Sequence, residues 1–80
     1  MKLPRDLSGE GLVKALKIVG YSVTRQSGSH LRLTATEGGE HHVTVPRHHP
    51  LRVGTLAAIL DDVAAHLGIS RDELLGRIRL

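Results

Sequence analysis

Apolar residues recur at helical spacing near both ends of the chain and alternate with polar residues in three short segments between them. In the first helical stretch the apolar positions lie three and four residues apart: Leu12, Val13, Leu16 and Val19. Asp6 or Ser8 can cap this stretch, and Gly20 can end it. We therefore predict a first helix that begins after Pro4-Arg5 and stops before Gly20.

Two further helices are predicted in the last third of the chain. One follows Gly54, with Thr55 as its candidate N-cap and Gly68 at its end, and its inward face would hold Leu56, Ile59, Leu60, Val63 and Leu67. The other is short, because Ser70 followed three residues later by Glu73 fits a capping box. Its inward residues would be Leu74, Leu75 and Ile78.

The three alternating segments, residues 21–25, 30–35 and 41–46, predict strands separated by glycine-ended connections. Leu31 and Leu33 can share a face with the valines of both neighbouring strands only if each connection holds an odd number of residues. A three-residue hairpin with a left-handed glycine meets that demand. This register places four pairs side by side: Thr24 with His30, Ser22 with Arg32, Arg32 with Thr44, and Thr34 with His42.

The expected architecture is therefore α+β: a helix, a three-stranded antiparallel sheet, a helix and a short C-terminal helix, in a single domain over residues 1–80. Such a sheet buries one face against the helices, and its polar face stays open to water or to a ligand. The chain has no cysteine, tryptophan or phenylalanine and one tyrosine, so its core must be aliphatic. No stretch has the length of a membrane helix or signal-peptide core, and we expect a soluble, cytoplasmic protein.

Charge is concentrated in the middle of the chain. The formal net charge is +3 with histidines neutral, and residues 21–53 hold four arginines and five histidines against Glu37 and Glu40 alone. This distribution favours a polyanionic partner, although an ordinary solvated surface would also be compatible with so small an excess.

His30 is the candidate chemical group, since it starts the central strand directly after Gly28-Ser29. An imidazole can take the proton of a ribose 2′-hydroxyl or give one to a departing 5′-oxygen, and this chemistry requires no metal. Arg25 and Arg32 could stabilise the charge of the phosphorane, and a backbone N–H of the glycine turn could add a donor. One positioned acid or base contributes about 10²–10⁴-fold, so a slow nuclease is expected.

Other interpretations of the histidines remain open at this stage. A histidine at a strand start is more often a surface residue than a catalyst. His41 and His42 are adjacent on a strand and point to opposite faces, so they cannot ligate one metal ion together. A zinc site from His30, His42 and His48 would lack a cysteine or an evident carboxylate, and Ser29 lacks an acid to orient a histidine for nucleophilic chemistry. We therefore expect neither a metal nor a cofactor.

Several short motifs in order resemble the HicA (YcfA-like) toxin family. They are Gly20-Tyr21, Gly28-Ser29-His30, the run from Val43 to His48, Gly54-Thr55-Leu56 with Ile59-Leu60, and Gly68-Ile69-Ser70. The resemblance spans about Leu7 to Ile69. The sequence differs from the family pattern at Leu31, at Val53, and in a longer second helix followed by residues 71–80.

The resemblance implies a fold similar to a double-stranded-RNA-binding domain and the activity of an mRNA interferase toxin. In the family the histidine of the Gly-Ser-His motif is catalytic, and here that position is His30. We expect the contacts to messenger RNA to be made by Arg25, Gly28, Ser29, Arg32 and Arg47. The implied partner is a HicB-like antitoxin that covers the histidine. Operator DNA is bound through the antitoxin in such complexes, so no direct specific DNA binding by this chain is expected.

Two other functions are compatible with the sequence. A non-catalytic RNA-binding module could use the same fold, although its usual lysine-rich loops are missing, because the lysines are Lys2, Lys14 and Lys17 alone. A protein-interaction module could dock a partner on its open sheet face or on the small residues of the second helix, Ala57, Ala58, Ala64 and Ala65.

Overall fold

The computed structural model describes residues 3–80, so Met1 and Lys2 lie outside the described residues. The elements follow the predicted order of helix, three strands, helix and helix. They are α1 (Gly9–Lys17), β1 (Ser22–Ser27), β2 (His30–Ala35), β3 (His41–Pro46), α2 (Val53–Leu67) and α3 (Arg71–Ile78). The predicted α+β architecture is confirmed.

The three strands form one antiparallel sheet in the order β1-β2-β3, and the helices cover one of its faces. The core between sheet and helices is almost entirely aliphatic. Its fully buried side chains are Leu12, Leu16, Leu33, Val45, Leu56, Leu60, Val63 and Leu74, together with Tyr21. No single helix in the described part of the chain is long and apolar enough to cross a membrane, and α2 and α3 meet that length and composition only as a pair bent by 96°.

The N-termini of two of the three helices have the predicted caps. The Ser8 hydroxyl accepts a hydrogen bond from the Gly11 N–H at 2.9 Å, and Ser70 does the same for Glu73 at 3.1 Å. Thr55, in contrast, is not the cap of α2. That helix begins at Val53 with Arg52 at the N-cap position, three residues before Thr55, and has no side-chain cap bond.

The early start of α2 follows from the way the preceding loop is held. The Leu51 N–H donates to the Leu7 carbonyl at 2.8 Å, and the Leu51 side chain is buried in the core. The Gly9 N–H donates to the His48 carbonyl at 2.9 Å. A Cβ on Gly9 would collide with the Pro46 carbonyl oxygen, so only glycine allows this approach of α1 to the end of β3.

The register between β2 and β3 is the predicted one, with Arg32 opposite Thr44 and Thr34 opposite His42. The predicted register between β1 and β2 was wrong at both pairs. His30 lies opposite Ser27 rather than Thr24, and Arg32 lies opposite Arg25 rather than Ser22.

Two compensating features of β1 explain the error. The connection after Ser27 is a two-residue turn, Gly28-Ser29, and not a three-residue one. Without a further change, a two-residue connection would place Val23 opposite Thr34, on the sheet face away from the helices. A β-bulge at Thr24 inserts one extra residue and restores the alternation, so Val23 still pairs with Leu33.

A polar cluster lies on the helix side of the sheet. The Tyr21 hydroxyl is 2.7 Å from His41 Nδ1, and His41 Nε2 is 3.1 Å from an Asp62 carboxylate oxygen on α2. The His66 ring stacks on that of His41 at 4.5 Å. Burial raises the pKa of Tyr21 to about 12, and the nearby Asp62 charge contributes to the same increase. These contacts join α2 to β3 and stabilise its packing against the sheet.

Candidate active site

The sheet face away from the helices carries the polar side chains of all three strands, and we call it the open face. Its residues lie in three cross-strand rows that follow the register. The first row is Ser27, His30 and Pro46; the second is Arg25, Arg32 and Thr44; the third is Ser22, Thr34 and His42. The bulged residue Thr24 has no register partner and lies beside the third row, with its hydroxyl 2.8 Å from that of Thr34. Side chains opposite each other in such rows have Cβ atoms about 4.5–5.5 Å apart, so each row forms a local binding surface.

His30 occupies the first row at one end of the sheet. It is exposed, and its ring forms no hydrogen bond or ion pair with any residue in the range 3–80. The turn before it has a positive φ of 57° at Gly28, whereas Ser29 has a negative φ, as in a type II′ hairpin turn. The imidazole is therefore held on a rigid strand and is accessible to a ligand.

Arg47 is brought to the same end of the sheet. Its N–H donates to the Ser29 carbonyl at 2.6 Å, which ties the glycine turn to the loop that follows β3. The Arg47 side chain is exposed and lies 3.7 Å from the Glu10 carboxylate, a weak pairing at the surface. The Arg47 backbone thus lies beside the Gly28-Ser29 turn, and its guanidinium lies next to Glu10 of α1.

Arg25 and Arg32 are direct neighbours in the second row. Both are exposed, and neither has an acidic partner among the residues that the structure describes. Simple alternation from Val23 would have put Arg25 on the buried face, and the bulge at Thr24 brings it to the open face. Two like charges in opposed positions repel each other. The pair is therefore suited to an anionic ligand that relieves the repulsion.

The third row contains a hydrogen-bonded network that sequence analysis missed. Thr34 Oγ1 is 2.8 Å from both Thr24 Oγ1 and His42 Nδ1, and His42 Nε2 is 3.1 Å from a Glu40 carboxylate oxygen. The pairing of Thr34 with His42 was predicted. Glu40 lies in the connection just before β3, and no sequence pattern indicates the direction of its side chain.

His42 and His48 do not join His30. Four residues of β2 and one strand spacing separate His30 from His42, which is about 14 Å. The His48 side chain is exposed and forms no hydrogen bond with His30 or His42. Within residues 3–80 there is no group of three or more histidine, aspartate or glutamate side chains arranged to hold a metal ion.

The comparison with protein families gives a match over the part of the chain that forms the open face. The family model described as the HicA toxin of bacterial toxin-antitoxin systems matches residues 9–65, which is more than half of the 80-residue chain. The chain belongs to the HicA toxin family. No curated protein and no solved structure gave a significant match.

The HicA match begins at Gly9, the residue that contacts the end of β3, and includes all three rows of the open face. It stops inside α2, so α3 lies outside the matched range. Of the two single-residue differences from the family pattern, Leu31 is buried in the core and cannot contact a ligand on the open face, whereas Val53 is exposed at the start of α2. Of the four alanines of α2, Ala64 is buried, Ala57 is half-buried, and Ala58 and Ala65 are exposed.

Proposed function

We propose that this HicA-family toxin is an endoribonuclease that cleaves messenger RNA without a metal ion and uses His30 as its acid/base group. The single observation that carries the proposal is the position of His30. The ring is free and exposed at the end of the open face, one row from the Arg25–Arg32 pair. Membership of the HicA toxin family supports the same assignment.

The chemistry is an in-line transesterification. His30 removes the proton of a ribose 2′-hydroxyl while the 2′-oxygen forms a bond to the adjacent phosphorus. The bond from phosphorus to the 5′-oxygen then breaks, and the products are a 2′,3′-cyclic phosphate and a 5′-hydroxyl. The leaving oxygen is on the opposite side of the phosphorus from His30, so solvent supplies its proton.

Arg25 and Arg32 stabilise the charge on the phosphorane, and Arg47 and the backbone N–H groups of Gly28 and Ser29 hold the flanking phosphate. Preorganised donors of this kind stabilise the transition state more than the ground state. One acid/base residue accounts for about 10²–10⁴-fold of the acceleration. A slow enzyme is therefore expected, and slow cleavage of messenger RNA suffices for a toxin.

The proposed partner is a HicB-like antitoxin that covers the open face at His30. The exposed ring, the glycine turn and the unpaired arginines form a surface that a protein can cover as readily as an RNA can. An antitoxin bound there would exclude the substrate without any change in the toxin fold.

The test is cleavage of an RNA by the purified chain in the presence of a strong metal chelator. The expected result is slow cleavage that leaves 2′,3′-cyclic phosphate ends, and loss of about 10²-fold or more in rate for His30→Ala. His49→Ala, an exposed histidine in the loop after β3, serves as the matched control and should cleave normally. Cleavage that stops on chelation, or that survives His30→Ala, would overturn the proposal.

A non-catalytic RNA-binding module is the second candidate, and the Arg25–Arg32 pair favours it as much as it favours a nuclease. It predicts salt-sensitive RNA binding that His30→Ala does not change, with no cleavage by the intact chain. Binding without cleavage in the same assay would select it.

A further inference from the structure

The third row of the open face, at the opposite end from His30, presents an aromatic ring in a fixed orientation. Both nitrogens of the His42 imidazole are occupied, one by the Thr34 hydroxyl and the other by the Glu40 carboxylate. The side chain is nevertheless 36% exposed. What the ring offers to a ligand is therefore its flat surface, and its orientation is set before the ligand arrives.

Aromatic surface is scarce in this chain. There is no tryptophan or phenylalanine, and the single tyrosine, Tyr21, is only 1% exposed. Single-stranded RNA is commonly bound by stacking of its bases on aromatic side chains, histidine included. Among the residues that the structure describes on the open face, His30 and His42 are the aromatic ones, and His30 is assigned to the chemistry.

Glu40 is the second unusual feature of this row. A carboxylate beside a face that attracts phosphates is electrostatically unfavourable for RNA binding unless it has a contact of its own to make. One of its oxygens is bound to His42, and the side chain as a whole is 68% exposed. Carboxylates accept hydrogen bonds from the amino groups of bases. Glu40 is thus placed to select a base that stacks on the neighbouring ring.

We propose that His42 and Glu40 form a base-binding site, in which a base stacks on the His42 ring and its amino group donates a hydrogen bond to Glu40. The base is adenine, cytosine or guanine, since uracil has no amino group. The site deepens the proposed function and rests on it. At about 14 Å from His30 it holds a nucleotide within about four positions of the cleaved bond in a stacked strand. It determines where the RNA is cut and takes no part in breaking the bond.

The binding test uses His30→Ala protein, so that no RNA is consumed, and short oligouridylates that contain a single adenine, cytosine or guanine. We expect an amino-bearing base to increase affinity by roughly tenfold over uridine alone. His42→Ala should remove this gain, and His42→Phe, which keeps an aromatic ring, should retain the stacking part of it. Glu40→Gln should reduce the discrimination against uracil, because an amide can also donate to a uracil carbonyl.

Glu37→Gln is the matched control, because Glu37 lies in the same β2–β3 connection and its carboxylate does not contact His42. It should leave the base preference unchanged. Thermal unfolding of each variant shows that it is folded. An equal preference in the parent, His42→Ala and Glu40→Gln proteins, or no preference in the parent, would overturn the inference.

Mapping of cut sites with His30 intact separates this inference from the proposed nuclease function. Cut sites that relocate in His42→Ala, with the total rate within about threefold of the parent, support both. Cleavage at unchanged sites overturns the base-binding site alone. No cleavage, together with base preference that depends on His42, overturns the nuclease alone, and no RNA binding by any variant overturns both.

Discussion

Arg25 and Arg32 lie directly opposite each other on the open face of the sheet, without an acidic partner among residues 3–80. This arrangement opposes stability and favours an anionic ligand. Replacement of either arginine by threonine should therefore change two properties in opposite directions. RNA affinity should fall, and the free energy of unfolding should rise by a few tenths of a kcal/mol.

Salt dependence measures the RNA part of this prediction. Each arginine that contacts a phosphate of a single strand contributes about 0.7 to the slope of log affinity against log salt, and its loss should reduce the slope by that amount. Lys14→Thr, on the exposed side of α1, is the control and should leave the slope unchanged. A slope unaffected by both arginine substitutions would show that the pair does not bind RNA phosphates.

Gly9 fixes the distance between α1 and the end of β3, where the loop that carries Arg47 begins. Because a Cβ there would collide with the Pro46 carbonyl, Gly9→Ala should destabilise the protein by about 1–3 kcal/mol. Gly76→Ala is the matched control: it lies in α3 with open space around it and should stabilise by about 0.5–1 kcal/mol. Chemical denaturation of the two variants provides the comparison, and equal effects would contradict the described contact.

The raised pKa of Tyr21 makes stability dependent on alkaline pH. Because the folded state keeps the phenol protonated up to a pKa of about 12, against an ordinary value of 10, the stability from this residue is complete below pH 10. It is lost as the pH rises towards 12, by about 2–3 kcal/mol in all. Unfolding measured between pH 9 and pH 12 should show this loss.

Tyr21→Phe is the comparison for that profile. It should be less stable than the parent at neutral pH by about 0.5–1.5 kcal/mol, through loss of the hydrogen bond to His41. The difference between the two proteins should shrink as the pH rises above 10 and reverse before pH 12, where Tyr21→Phe should be the more stable protein, because the loss of about 2–3 kcal/mol in the parent exceeds its initial advantage. A constant difference would mean that the tyrosine does not titrate as described.

The elements of the fold were predictable because their patterns are local. Apolar spacing and glycine stops defined α1 and α2, and the serine caps Ser8 and Ser70 fixed the starts of α1 and α3 within the chain. The Thr55 cap was wrong, because the start of α2 is set by a contact distant in sequence, between Leu51 and Leu7.

The register of β1 was not predictable for a related reason. A three-residue connection places Val23 on the same face as Leu31 and Leu33. A two-residue turn combined with a bulge does the same. The choice between them depends on how β1 pairs along its whole length, and alternation alone does not report it. The consequence for the site is large, because it is the bulge that puts Arg25 on the open face.

The candidate site was predicted in part. His30 was identified from its place after the glycine turn, and Arg32 from its alternation. Arg47 was also named as an RNA contact, but its position beside Ser29 depends on a backbone hydrogen bond that no sequence pattern shows. The network of Thr24, Thr34 and His42 required the bulge, and Glu40 joins it from a connection whose side-chain directions the sequence does not define.

The assignment of His30 as the catalytic residue is tested most sharply in a cell that contains no antitoxin. The intact chain and His30→Ala are each induced there, and growth and the integrity of a reporter messenger RNA are followed together. We expect growth arrest and loss of the messenger RNA for the intact chain, and normal growth with intact messenger RNA for an equally abundant, folded His30→Ala protein. Equal harm from both proteins, or none from either, would contradict the assignment of His30 as the catalytic residue of a ribonuclease toxin.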